Sequence, residues 1–162
     1  NKGKKMKILK TLLIGSLFGF TLAHAQVGRN TAEYNLSAGT GLGSFDPVAV
    51  FAEGGGQALR GSTAQRLQHE GVAYLFANNA NQETFQQAPE KYEPTYGGWC
   101  AYAMASGSKV PIQATIFTIH GNRAHYFVSN AAKRAFDRDV ASFESRADTH
   151  WKRISGEEPR RR

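Results

Sequence analysis

Residues 115–129, TIFTIHGNRAHYFVS, give the clearest indication of the fold. Two runs of β-branched and aromatic residues flank a Gly-Asn pair at positions 121–122, and such a pair is typical of the two-residue turn of a β-hairpin. If this turn sets the register, Thr118 faces His125 across the two strands. The stretch therefore predicts an antiparallel hairpin.

A second hairpin is predicted nearer the N-terminus. Glu70 and Gly71 separate residues 65–69 from the apolar run at residues 72–76, and together these runs carry enough β-branched and aromatic residues to pair as strands. The sequence shows no alternation of single strands and helices, so we expect antiparallel pairing in both hairpins.

Helices are predicted after each hairpin. Asn78 or Asn79 caps a short helix that ends or restarts at Pro89. After the second hairpin, apolar residues three or four apart predict one long amphipathic helix, or two with a joint near Asp137, ending at Gly156. The predicted fold class is α+β, a small antiparallel sheet of two hairpins with short helices and a long C-terminal amphipathic helix.

The first 25 residues have the pattern of a secretory signal peptide. A lysine-rich leader precedes an apolar run at residues 11–23, and Ala-His-Ala at residues 23–25 has the small-x-small form that signal peptidase cleaves. The run is shorter than the roughly 20 residues of a membrane-spanning helix, so an uncleaved anchor is the weaker interpretation. We expect cleavage after residue 25, a periplasmic or secreted protein, and no membrane span after cleavage.

The basic charge belongs mainly to the ends of the chain. The sequence has 20 Lys and Arg against 13 Asp and Glu, a net charge of +7. Five of the basic residues lie in the first 25 positions, which leaves 15 basic against 13 acidic residues. A nucleic-acid surface needs Lys and Arg clustered on the folded body, and the sequence predicts no such cluster and no nucleic-acid partner.

The chain after residue 25 divides into three parts. Residues 26–43 are polar and contain several glycines, and are predicted to form a flexible N-terminal arm. Residues 44–156 are predicted to form the folded domain. Residues 157–162 are predicted to form a disordered basic tail.

Residues 85–105, FQQAPEKYEPTYGGWCAYAMA, concentrate the features that can carry chemistry. They contain Cys100, the one cysteine of the chain, so no internal disulfide can form. Cys100 is either a small buried residue under aromatic cover or a metal or haem ligand beside the Gly-Gly pair. The neighbouring aromatic residues line either a ligand pocket or the core.

Several spaced motifs resemble those of the YHS domain family. They are FDPV at residues 45–48, VAYLF at 72–76, PEKY at 89–92, YGGWCA at 96–101 and ADTHW at 147–151. The last two are similar to an exported subgroup of that family. Taken together the resemblance covers residues 45–152, and it implies a YHS-like domain whose relatives bind metal.

The thiolates of the metal-binding YHS domains are missing from this chain. Their cysteines align with Ala49, Ala77 and Asn81, so the family's metal site does not transfer residue by residue. A soft metal such as copper, which the family suggests, needs thiolate, thioether or imidazole donors from elsewhere. The candidate metal ligands are Cys100, His125, His120 and Asp46.

These candidates also have simpler roles. Strand histidines often face solvent, and Asp46, which precedes a proline, can form a turn or cap a helix. The candidate residues for contact with a cofactor or small ligand are Tyr96, Gly97, Gly98, Trp99 and Tyr102.

Two functions remain open at this point. The first is an exported, non-catalytic YHS-like domain that binds a soft transition metal or a small ligand around Cys100. The alternative is a structural or protein-interaction domain of the cell envelope in which Cys100 is buried. No hydrolase, zincin, CxxC or phosphate-loop motif is present, and an enzymatic role would depend on a Cys–His pair.

Overall fold

The structure is a computed structural model that describes residues 29–158. The predicted signal peptide, residues 1–25, lies outside the described residues. After three short 3-10 helices (Thr31–Glu33, Gly41–Ser44 and Ala52–Gly54), the described chain contains four strands and five α-helices: β1 (Ser62–His69), β2 (Val72–Phe76), α1 (Asn79–Gln87), α2 (Pro89–Tyr92), α3 (Ala101–Met104), β3 (Gln113–His120), β4 (Arg123–Phe127), α4 (Asn130–Asp137) and α5 (Val140–Ser155).

Both predicted hairpins are present. β1 pairs with β2 and β3 pairs with β4, each in antiparallel orientation. Thr118 faces His125 across the second hairpin, as the Gly-Asn turn requires. The hairpins form two separate two-stranded sheets, and the predicted α+β class is confirmed.

Three of the helices, α1, α4 and α5, begin at a residue whose side chain caps them. The Asn78 side chain accepts the N–H of Asn81 at 2.8 Å at the start of α1. The predicted C-terminal helix is two helices, and the Asp139 side chain between them accepts the N–H of Ser142 at 3.1 Å. α5 ends at Gly156, whose φ of +78° is typical of a left-handed C-cap. None of the helices in residues 29–158 has the length and apolar character needed to cross a bilayer.

The second half of the domain repeats the first half at a spacing of 51 residues. β1 begins at Ser62 and β3 at Gln113, and the starts of β2 and β4, of α1 and α4, and of α2 and α5 differ by the same number. Each first strand also has a register irregularity at the same place. We call residues 62–93 repeat 1 and residues 113–155 repeat 2. Identical residues at equivalent positions are His69 and His120, Ala73 and Ala124, Phe76 and Phe127, Asn79 and Asn130, Ala80 and Ala131, Phe85 and Phe136, and Glu93 and Glu144.

Each repeat builds its part of the core in the same way. Phe85 of α1 packs on Phe76 of β2, and Phe136 of α4 packs on Phe127 of β4, both with ring centroids 5.2 Å apart. All four rings are fully buried. Burial of a phenylalanine stabilises a fold by roughly 2–3 kcal/mol, so these pairs are major contributors to the core.

Residues 29–44, here called the N-terminal segment, are packed on the domain. Tyr34 is buried against Trp151, with ring centroids 5.5 Å apart, and Leu42 is also buried. The Tyr34 hydroxyl donates to Glu157, a residue of the predicted tail, at 2.7 Å. The flexible arm predicted for residues 26–43 is therefore wrong for its described part, because these two apolar side chains find partners distant in sequence.

Candidate functional site

Cys100 lies in the hydrophobic core. It is a free thiol, fully buried, at the N-cap of α3. Its N–H donates to the carbonyl of Val110 and its carbonyl accepts the N–H of Met104, both at 2.9 Å. Of the two roles that the sequence leaves open, this geometry is that of a buried core residue.

Asp46 organises the backbone around it. Its carboxylate is buried, and Oδ1 accepts the N–H groups of Val48 at 2.8 Å and Ala49 at 3.2 Å. Oδ2 accepts the N–H of Ala77 at 2.8 Å and the side-chain amide of Asn81 at 2.7 Å. Four donors therefore engage both oxygens, and Asp46 acts as the turn former that its place before a proline allows.

His120 and His125 meet on one buried carboxylate. Nε2 of His125 lies 2.7 Å and Nδ1 of His120 lies 3.1 Å from Oε1 of Glu144 on α5. His125 and Glu144 are buried, while 39% of the His120 side chain is exposed. Glu144 was not among the predicted site residues. The signal that could have revealed it is a charged residue in helical phase with the apolar Val140 and Ala147.

An ion pair adjoins these histidines. The guanidinium of Arg123 donates to both carboxylate oxygens of Asp148, and one of its nitrogens lies 3.8 Å from Oε1 of Glu144. The hydroxyl of Tyr96 donates to the Asp148 carboxylate at 3.0 Å. We call this group the polar cluster; its members are Tyr96, His120, Arg123, His125, Glu144 and Asp148.

Burial and hydrogen bonding have opposite effects in the polar cluster. Burial by itself would raise the pKa of Glu144, but hydrogen bonds from His125 and His120 and the charge of Arg123 outweigh it and lower this pKa to about 2. Burial lowers the pKa of His125 below its usual value. At neutral pH a neutral His125 therefore donates its Nε2–H to a charged Glu144. Nδ1 of His125 has no hydrogen-bond partner among the described residues.

The four predicted metal ligands do not come together. Cys100 is a core residue, both oxygens of Asp46 are engaged by N–H donors, and the two histidines contact Glu144. Within residues 29–158 no three His, Cys, Asp or Glu side chains are grouped so that they can hold a metal ion.

Three of the predicted ligand-contacting residues hold the N-terminal segment. The carbonyl of Gly97 accepts the backbone N–H of Asn35 at 2.9 Å, and the carbonyl of Gly98 accepts the side-chain amide of Asn35 at 2.9 Å. Nε1 of Trp99 donates to the carbonyl of Glu33 at 2.6 Å. Much of the YGGWCA motif therefore binds the chain's own N-terminal segment.

The other two predicted contacts lie apart from each other. Tyr96 is buried in the polar cluster. Tyr102 is 39% exposed, and its ring packs on that of Phe143 with centroids 5.2 Å apart. The predicted set of five residues is thus divided among three different surroundings.

Repeat 1 buries a carboxylate at the position equivalent to Glu144. The Glu93 side chain is fully buried, accepts the hydroxyl hydrogen of Tyr74 at 2.9 Å, and forms an ion pair with Arg29 of the N-terminal segment. Tyr74 is equivalent to His125. Each repeat therefore directs a donor from its second strand at a buried glutamate, with a tyrosine in repeat 1 and a histidine in repeat 2.

A cleft of about 470 Å³ lies between the N-terminal segment and the start of β3. The N-terminal segment and Phe45 form one wall, and residues 111–115 form the other. Arg60 is the one charged residue among the described residues that line the cleft, and its guanidinium lies 4.7 Å from the centroid of the Phe45 ring. Apolar Leu42, Phe45 and Ile112 and polar Asn35, Ser37 and Gln113 complete much of the lining.

Sequence reasoning did not find this cleft. Its walls come from segments that are more than one repeat apart in the chain, and no motif connects them. Comparison of the chain with protein-family models, with curated proteins and with solved structures found no match.

Proposed function

We propose that this chain is an exported, non-catalytic binding domain of the YHS type, which takes a carboxylate-bearing ligand in the cleft between its N-terminal segment and the start of β3. The cleft is the observation that carries the proposal. Its volume of about 470 Å³ is in the range of small-ligand sites, which are mostly apolar with a few polar groups. The signal-peptide pattern of residues 1–25 supports export.

The charge of the lining selects the ligand class. Arg60 supplies a permanently charged guanidinium, whose N–H groups match the geometry of a carboxylate. Asn35 and Gln113 lie on opposite walls, but their side-chain amides donate to the carbonyls of Gly98 and Val128, so Arg60 is the charged donor that faces the ligand. An anion with an apolar body therefore complements this cleft better than a cation does.

The lining also supports binding in preference to catalysis. No Asp, Glu, His or Cys is among the described residues that line the cleft, so general acid–base groups are lacking there. In the polar cluster, His125 and Glu144 are hydrogen-bonded to each other, and both are buried in the core, away from the cleft.

Titration of ¹⁵N-labelled protein with small aliphatic and aromatic monocarboxylates tests this proposal, with the amides of the same acids as neutral controls. We expect the carboxylates, and not the amides, to shift the resonances of Asn35, Leu42 and Gln113. Arg60→Glu should abolish the shifts because it places a like charge against the ligand. Arg66→Glu, at an exposed position outside the cleft, should preserve them. Equal shifts in both variants would refute the proposal, as would the absence of shifts in the wild type.

A further inference from the structure

β3 has one free edge, and part of this edge lines the cleft. Within the described residues β3 pairs only with β4, and no other backbone hydrogen bond involves residues 111–120. His120 and Arg123 close the two-residue turn, and such a closing pair is hydrogen-bonded. Along an antiparallel ladder, hydrogen-bonded pairs alternate with pairs that are not hydrogen-bonded to each other, and Phe117 and Ile119 belong to the second kind. The N–H and C=O groups of Phe117 and Ile119 therefore point away from β4.

β1 is the strand of repeat 1 that is equivalent to β3. Its free edge is protected by a hydrogen bond from a neighbouring helix, which β3 lacks within the described residues. Arg66 is equivalent to Phe117, and its carbonyl accepts the side-chain amide of Gln82 at 3.2 Å. The equivalent of Gln82 is Lys133, which pairs with a carboxylate of its own helix. Exposed strand edges are usually protected by charged residues, but residues 110–119, VPIQATIFTI, carry no charge. β3 is thus the strand edge of this domain that is suited to pairing.

We propose that the cleft binds the C-terminal end of an extended polypeptide, which adds to the free edge of β3 as an antiparallel strand. This inference rests on the proposed function, and it identifies the ligand's anion as a terminal carboxylate. An antiparallel strand runs opposite to β3, so its C-terminus lies at the start of β3, beside Pro111 and Gln113. Arg60 lines the cleft at that end and donates to the carboxylate.

The dimensions of the cleft set the length and character of the bound segment. Residues 111–115 span roughly 16 Å at about 3.3 Å per residue, so about five residues of the partner lie in the cleft, and about four more lie along residues 116–119 and reach the free groups of Phe117 and Ile119. Successive side chains of a strand point to opposite faces, and those directed at Leu42 and Phe45 meet an apolar wall. The ligand is therefore an uncharged, β-branched segment that ends in a free carboxylate.

A synthetic nonapeptide library, randomised over Thr, Val, Ile and Tyr and carrying free C-termini, is the probe for this proposal. We expect selected peptides to bind the full chain, and amidation of the C-terminus to weaken binding at least tenfold because a charge-assisted hydrogen bond is lost. Among the four N-terminal residues of the peptide, which lie opposite residues 116–119, N-methylation should abolish binding at alternate positions and leave it intact at the positions between, since only every second N–H of an added strand faces β3. Uniform effects of N-methylation would overturn the inference.

A matched pair of variants locates the site. Thr115 lines the cleft, and the equivalent position on β1 is Ala64; both are exposed. Thr115→Lys should reduce peptide affinity at least tenfold, whereas Ala64→Lys should leave it unchanged. If small carboxylates bind through Arg60 but no library peptide does, this inference fails and the proposed function stands. If neither class binds, both fail.

Discussion

The backbone at Gly97 leaves no room for a side chain. Its φ is +59°, and a Cβ atom there would lie 2.6 Å from Cη2 of Trp151 and 3.2 Å from Cδ1 of Tyr34. Gly97→Ala therefore combines an unfavourable backbone conformation with overpacking, and we expect it to lower the free energy of unfolding by about 3 kcal/mol. Urea denaturation followed by tryptophan fluorescence measures this loss.

Gly156→Ala is the control for Gly97→Ala. Gly156 also has a positive φ, of +78°, but nothing lies within 4 Å of the Cβ position. There only the unfavourable backbone conformation contributes, so we expect the free energy of unfolding to fall by about 1 kcal/mol. Equal losses for the two variants would show that the contact with Trp151 carries no energetic weight.

At the residue scale, the sequence predicted positions better than roles. The YGGWCA motif was identified as important, yet the partners of Gly97 and Trp99 in the N-terminal segment lie more than 60 residues away, and no spacing rule connects them. The burial of Cys100 was one of two alternatives that its residue type allows. The local sequence around Cys100 is the same whether the thiol is buried or acts as a ligand, so only its position in the folded core distinguishes the two roles.

Among the structural elements, the N-terminal segment depends on one buried ion pair. Arg29 is largely buried and pairs with Glu93, whose side chain is fully buried, and also with Glu70. Arg29→Ala removes the cation from a carboxylate that stays in the core, so we expect a loss of about 3 kcal/mol in the free energy of unfolding. Thermal and urea unfolding of the full chain measure it.

A surface pair provides the comparison for Arg29→Ala. Lys133 and Asp137 form an i,i+4 pair on α4, each about one-third exposed. Because exposed pairs contribute little, Lys133→Ala should cost less than about 1 kcal/mol. A loss as small for Arg29→Ala would mean that the N-terminal segment is held by the packing of Tyr34 and Leu42 and by its hydrogen bonds to residues 97–99, without a contribution from the ion pair.

The elements that sequence reasoning located are those with local rules. The Gly-Asn turn specifies the register of β3 and β4, and the caps Asn78 and Asp139 mark helix starts within three residues of the groups that they bind. The N-terminal segment follows no such rule. Its polar composition indicated an arm, and its attachment depends on contacts with Trp151 and Glu93 in other parts of the chain.

For the whole molecule, the duplication is the feature that the sequence pattern hid. Equivalent positions keep the same residue type where core packing is the main requirement, as it is for Phe85 and Phe136. Between those positions the repeats diverge, as Arg66 and Phe117 do, so the similarity is spread thinly over 51 residues. The complete burial of both β2 and β4, side-chain caps at the equivalent residues Asn78 and Ser129, and strand irregularities at the same place make it evident in three dimensions.

The two repeats should differ in their response to acid. The pKa of His125 is lowered mainly by burial, so below the unfolded-state value of about 6.5 the unfolded chain binds a proton that the folded chain does not. The pKa of Glu144 is lowered to about 2, so between about pH 4.5 and pH 2 the unfolded chain likewise binds a proton that the folded chain does not. Both groups therefore make the free energy of unfolding fall as the pH falls. Repeat 1 has a tyrosine, Tyr74, at the position of this histidine.

His125→Tyr transfers the donor of repeat 1 to repeat 2 and tests this difference. The variant keeps a donor for Glu144 and removes the imidazole that faces His120, Arg123 and Asp148. Urea unfolding from pH 7 to pH 5 should show a smaller loss of stability for His125→Tyr than for the wild type, and a larger loss for the reciprocal Tyr74→His. An unchanged pH dependence in His125→Tyr would mean that His125 keeps an ordinary pKa, so that its burial against Glu144 does not make repeat 2 sensitive to acid.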